Sequence, residues 1–272
     1  MKDRQRSRRE PGDDDGEARE GWRVGRPANQ RPPVLIIGAH RSGTTATASA
    51  LELLGLQIGQ HLDRHREPRL LQKLHEDYLQ RVGAAWHNPQ PFLKWIKTAE
   101  GKQDCSSYLR ASVRRDFARI FGYRRNPKGL WLQVRLNFGE RWGWKEPRTT
   151  LFAPAWLEIF PEARIVHVVR DAHAAASSIR ERELKFQAAG DPATPNLADL
   201  DYCRQLVQIY LTVGERLANT GNYQRIQFED LQANPPAMLE RLANFCSLRV
   251  TTRQLAAAAA SIHPARVRST SA

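Results

Sequence analysis

The residues best equipped for chemistry lie in the segment Gly38-Ala39-His40-Arg41-Ser42-Gly43-Thr44-Thr45. Its two glycines have the G-x-x-x-x-G spacing of a phosphate loop. Such spacing lets a chain curl until successive backbone N–H groups converge on an anion at a helix N-terminus. A nucleotide triphosphatase follows the second glycine with lysine, but here Thr44 stands in that place. A second group is Arg170, with Ser178 eight residues later. An arginine fork and a hydroxyl together can hold a further phosphate. Arg170 also occupies the strand end where a magnesium-holding aspartate would be wanted, so the loop reads as a site for an anion without a metal. The plainer alternatives are a ligand-free strand-to-helix turn, an Arg170–Asp171 ion pair, and a Ser178 that caps nothing.

Positioning these groups requires strands feeding helices. The apolar run at 34–38 suits a buried parallel strand, with a helix from Thr44 to about Leu54 stopped by Gly55. A second strand is expected at 164–169, running straight into Arg170 and a helix over 172–187. A third falls at 223–228, whereas 142–146 reads as a strand edge or a loop. Helices are predicted over 68–82, 106–121, 149–159, 198–218, 236–246 and 251–261. Short apolar strands alternating with longer helices imply an α/β fold, a three-layer sandwich around a central parallel sheet.

The 272 residues suit one large domain, expected over 32–272, behind a charged, disordered leader at 1–31. That leader holds nine basic and seven acidic residues, so +11 of the net +13 belongs to the remainder. A positive domain points to an anionic partner: nucleic acid, membrane surface or nucleotide. The run Arg114, Arg115, Arg119, Arg124, Arg125 and Lys128 reads as a solvated helix face or a wall for an acidic acceptor. No apolar run is long enough to span a membrane. Three scattered cysteines without a CxxC pair argue against a disulfide framework and for a reducing, cytoplasmic setting. His61, His65, His75 and His87 share one region without a metal-ligand spacing, so no metal is expected.

Taken together, IIGAHRSGTT followed by RIVHVVRDAHAAASSIR resembles the two nucleotide-binding motifs of sulfotransferases that use 3′-phosphoadenosine-5′-phosphosulfate (PAPS). WGWKEPRT resembles a segment of the bacterial and Golgi-type members, and IQFEDLQANP the strand and turn after the second motif. The resemblance implies that Arg41, Ser42, Gly43, Thr44 and Thr45 hold the 5′-phosphosulfate, and that Arg170 and Ser178 hold the 3′-phosphate. It implies sulfuryl transfer from PAPS to a hydroxyl or amine, with Arg41 and Lys145 as catalytic cations. The histidine base of cytosolic members is absent where Glu146-Pro147-Arg148 stands. Glu67 matches the glutamate of heparan-type members and is preferred over Glu146 as base; its plainer role is to sit in a helix's first turn for the dipole. Arg266 and Arg268 are further candidates for the 3′-phosphate. The acceptor is a small molecule, glycan or lipid, and no nucleic acid is expected. The competing readings are a P-loop phosphotransferase using Mg-ATP and a non-catalytic binder of nucleotide or polyanion.

Overall fold

A computed structural model describes residues 31–59, 61–120 and 141–262. The 1–31 leader (except Arg31), the basic side chains from Arg119 to Lys128, and Arg266 and Arg268 lie outside them.

Four strands form one fully parallel sheet: β1 (Val34–Ile37), β2 (Gly143–Lys145), β3 (Arg164–Val169) and β4 (Tyr223–Gln227), in the order β2-β1-β3-β4. Its two faces are separated by the period-two alternation of side chains. Leu35 and Ile37 of β1, with Ile165 and Val169 of β3, join one apolar cluster. Val34 and Ile36, with Val166 and Val168, join the other. Both faces are thus buried, which is why these strands read as unbroken apolar runs.

The first face is covered by α2 (Arg69–Arg81), α4 (Ala99–Ile120), α5 (Thr149–Ile159), α6 (Ala172–Ala188) and α7 (Leu200–Glu215), with the short α3 (Gln90–Trp95) beside them. The second is covered by α1 (Thr44–Leu53), α8 (Phe228–Ala233), α9 (Pro235–Cys246) and α10 (Thr252–Ala260). This is the three-layer α/β arrangement that the alternation of strands and helices implies.

Local chemistry explains several boundaries. The Asp171 carboxylate accepts from the Ala174 N–H (2.8 Å) and so caps α6 rather than pairing with Arg170. Asp199 caps α7, and Thr251 with Gln254 forms a reciprocal capping box at α10. Three differences from the sequence reading have physical causes. The segment 142–146 does contain a strand, β2, whose three residues are too few to show a period. The short α3, opened by Pro89 and Pro91, is a helix the sequence reading did not name. Helix α4 starts well before 106, because the Thr98 hydroxyl accepts from the Gly101 N–H (2.9 Å). No helix among the described residues is long and apolar enough to cross a membrane.

Candidate active site

The loop after β1 is held in a strained curl. Gly38, Arg41 and Gly43 all have positive φ, at 149°, 68° and 94°. A Cβ on Gly43 would come within 2.2 Å of the Phe228 ring, so glycine is required there on two counts. The Gly38 N–H donates to Thr150 Oγ1 (3.0 Å), and that hydroxyl donates back to the Gly38 carbonyl (3.2 Å). No side chain caps α1, and its first residues, Thr44 and Thr45, line the cavity beside the loop. The Ser42 hydroxyl is buried and has no hydrogen-bond partner.

The end of β3 brings the second group to this loop. Arg170 Nη1 donates to the Arg41 carbonyl (3.1 Å), and Arg41 Nε donates to Ser178 Oγ (3.0 Å). Arg170 also lies over the Phe228 ring at 5.9 Å. Residues 137 apart in sequence thus meet at the carboxyl ends of adjacent strands, where open α/β sheets bind ligands. Burial, with the neighbouring Arg170 charge, lowers the Arg41 pKa from its ordinary value. Thr45 is tied outward, its hydroxyl donating to the His65 carbonyl (3.4 Å).

Lys145 ends β2 with its ammonium buried and donating to Glu67 Oε1 at 2.6 Å. Gln72 Nε2 donates to Glu67 Oε2 (2.6 Å) and to Asp63 Oδ2 (3.1 Å). Asp63 Oδ1 accepts the N–H groups of His65 (2.8 Å) and Glu67 (2.9 Å), which fixes the turn. Burial raises the Glu67 carboxyl above its ordinary value, outweighing the opposing charge of Lys145. Glu67 precedes α2, which begins at Arg69 after Pro68, so it does not occupy the helix's first turn.

Glu146 has a different place. Its carboxylate is fully buried and accepts from His75 Nδ1 (2.6 Å), Arg148 Nη1 (2.6 Å) and the Thr149 N–H (3.1 Å). Trp156 Nε1 donates to His75 Nε2 (3.0 Å), so the His75 proton sits on Nδ1, toward Glu146. Arg148 also pairs with Glu76 (2.5 Å). Burial pushes the Glu146 carboxyl up, but Arg148 and His75 outweigh it and hold it at about 2. A carboxylate so engaged is a structural anchor for the Lys145 strand end.

His75 and Arg148 have no counterpart among the sequence-predicted site residues. The signal for His75 was its place on the apolar face of α2, with Leu71, Leu74 and Tyr78. His40, within the loop, has its ring 4.2 Å from that of Trp86, and burial with the Arg148 charge lowers its pKa well below the ordinary 6.5.

One cavity of about 700 Å³ takes in Arg41, Gly43, Thr44, Thr45, Glu67, Lys145 and Arg170 together. Of the sequence-predicted site residues, Ser42, Ser178 and Glu146 do not line it. Residues 32–252 match the model of one family, described as the sulfotransferase family. The chain belongs to the sulfotransferase family. No curated protein matches the sequence. Solved sulfotransferases share a likeness of fold at low identity. One is the sulfotransferase domain of the Synechococcus PCC 7002 olefin synthase, at 16% identity and TM-score 0.46, covering 84% of this chain and 76% of that one. The sulfotransferase from Alicyclobacillus acidocaldarius gives 15% and 0.45, covering 85% and 94%. A mouse sulfotransferase complexed with PAP gives 13% and 0.47, covering 85% and 64%. The cavity of this sulfotransferase brings together a glycine-containing loop at a helix start, Arg41 of that loop, Arg170, and a buried lysine–glutamate pair.

Proposed function

We propose that this sulfotransferase moves the sulfuryl group of PAPS to a hydroxyl or amine, working in the cytoplasm and without a metal. The observation that carries the reading is the meeting of the loop, Arg41 and Arg170 at the ends of β1 and β3, in one cavity with Lys145 and Glu67, with Ser178 of α6 accepting from Arg41. The residues fit a bisphosphate donor. The Ser42 hydroxyl lacks a partner, α1 is uncapped, and neither Arg41 nor Arg170 is paired with a carboxylate among the described residues.

In this reading the loop N–H groups, Ser42, Thr44 and Thr45 hold the 5′-phosphosulfate, and Arg170 with Ser178 holds the 3′-phosphate. The sulfur–oxygen bond to the bisphosphate breaks as the acceptor's oxygen or nitrogen bonds to sulfur. Glu67 receives the acceptor's proton; each of its oxygens keeps a lone pair beyond those taken by Lys145 and Gln72. Lys145 and Arg41 neutralise charge on the sulfonate and the departing oxygen, a preorganised stabilisation that needs no metal in the residue set.

The test is thermal stabilisation by adenosine 3′,5′-bisphosphate (PAP) against Mg-ATP and polyphosphate. Ligand at about 100 times its Kd adds roughly 2.7 kcal/mol. A shift selective for PAP, lost in Arg170→Ala, is the expected result. A shift with Mg-ATP alone would revive the phosphotransferase, and equal shifts with PAP and polyphosphate would indicate a non-specific polyanion binder.

A further inference from the structure

The cavity extends past the Lys145–Glu67 pair to a wall made by Trp86, Arg182, Phe186 and Thr194. Arg182 stands on α6 one turn beyond Ser178. Its guanidinium lies over the Trp86 ring at 5.2 Å and the Phe186 ring at 5.9 Å. It makes no hydrogen bond or ion pair among the described residues, and its Nε is buried without a partner. Its sequence neighbour Glu183, which also lines the cavity, offsets part of its charge but forms no ion pair with it, the Glu183 carboxylate accepting the Thr194 N–H instead.

The other cations lining the cavity are differently occupied. Lys145 is paired with Glu67, and Arg148 with Glu146 and Glu76. Arg41 and Arg170 bond to Ser178 and to the loop itself, and Arg64 Nε donates to the His65 ring. Burial lowers the Arg182 pKa, and beyond it Arg182 feels the charges of Arg41, Glu183, Arg64 and Glu67, the last being the candidate base. A guanidinium whose plane is fixed by two rings, with like charges nearby and its donors free, gains most from a planar or tetrahedral anion met through its fork.

Resting on the sulfotransferase reading above, we propose that Arg182 is the docking point for an anionic group on the acceptor. The acceptor is then an acidic molecule, carrying a carboxylate, sulfate or phosphate in addition to the hydroxyl or amine that is sulfated. Trp86 and Phe186 are positioning residues that hold the guanidinium plane, and Arg182 is a specificity-determining contact. A neutral lipid or neutral phenol leaves that cation unmet in a half-buried wall.

The experiment uses the whole chain saturated with PAP and measures binding by calorimetry. The probes are 4-hydroxyphenylacetate, glucuronate and glucose 6-phosphate, set against the two methyl esters and glucose. At least one acid should bind about 10–100-fold more tightly than its neutral counterpart, the range of one charge-assisted contact. Arg182→Gln should erase that preference while PAP affinity stays within about threefold, which also shows that the variant is folded. Arg182→Lys, which keeps the charge and loses the fork, should recover only part of it. The proposal is overturned if no acid is preferred, if the preference survives Arg182→Gln, or if PAP affinity falls in step, since Arg182 would then belong to the nucleotide. Failure of PAP to bind the wild-type chain is a separate result, seen before any acid is added, and it removes the sulfotransferase reading and this one together.

Discussion

Two buried glutamates, one paired with Lys145 and the other next to it in sequence, have opposite fates, and their partners decide which can do chemistry. Glu67 shares its carboxylate with one buried ammonium and one amide and opens onto the cavity, whereas Glu146 is closed in by three donors. Glu67→Gln should therefore lower kcat by about 10²–10⁴-fold, the range for loss of a general base, with PAP affinity retained. Because burial raises the Glu67 pKa, and the base works ionised, kcat should fall as pH drops through a value above the ordinary 4.5. A pH profile of kcat in wild type and variant checks both statements. The sequence could nominate Glu67 and Lys145, since residue type and the surrounding motif carry that signal. It could not reveal that they touch across 78 residues, nor that Glu146 is spent on Arg148 and His75. Arg182 was illegible for the same reason: an arginine on a helix reads as solvated until the rings beneath it are known.

The elements that set these side chains are short and depend on tertiary support. Strand β2 has three residues, and the corner after it is fixed by the Glu146 carboxylate. Glu146→Gln should destabilise the fold by about 3–5 kcal/mol, as expected when one partner of a buried pair is removed, measured by denaturant unfolding. The same carboxylate gives an acid limit. Its folded pKa of about 2 lies below the ordinary 4.5, so its stabilisation is present above 4.5 and is lost as pH falls toward 2. Gly43 is the other weak point. Gly43→Ala meets the Phe228 ring at a φ that side chains disfavour, and it should cost at least about 1–3 kcal/mol in stability. PAP binding should weaken with it, which the thermal shift would report. The strands at 34–37 and 164–169 were legible because burial on both faces leaves mostly apolar runs, and the one at 223–227, where only Ile226 is buried, from its place in the alternation of strands and helices. Strand β2 and α3 were not, because a strand of three residues and a helix of six carry too little pattern against their prolines and glycines.

On the scale of the whole molecule, the sheet order places the residues proposed for the nucleotide just after the central strands β1 and β3, and the candidate lysine on the outer strand β2. Alternation of strands and helices made that architecture readable, while the wall proposed to receive the acceptor is gathered from 61–87 and 182–194, for which no linear pattern exists. The Arg41–Ser178 contact joins residues 137 apart, with β1 paired to β3 across the same span. That separation has a kinetic consequence. A chain emerging in order from its N-terminus holds the loop long before it holds Arg170 and Ser178, so the nucleotide pocket exists only once this distant pairing has closed. Forming such non-local parallel pairs is slow, and a ligand that recognises only the closed pair arrives after the barrier is crossed. PAP should therefore slow unfolding in a denaturant jump and leave the refolding rate unchanged. Refolding accelerated by PAP would mean instead that β1 and β3 are already together at the rate-limiting step, with the pocket acting as part of the nucleus around which the remaining chain assembles.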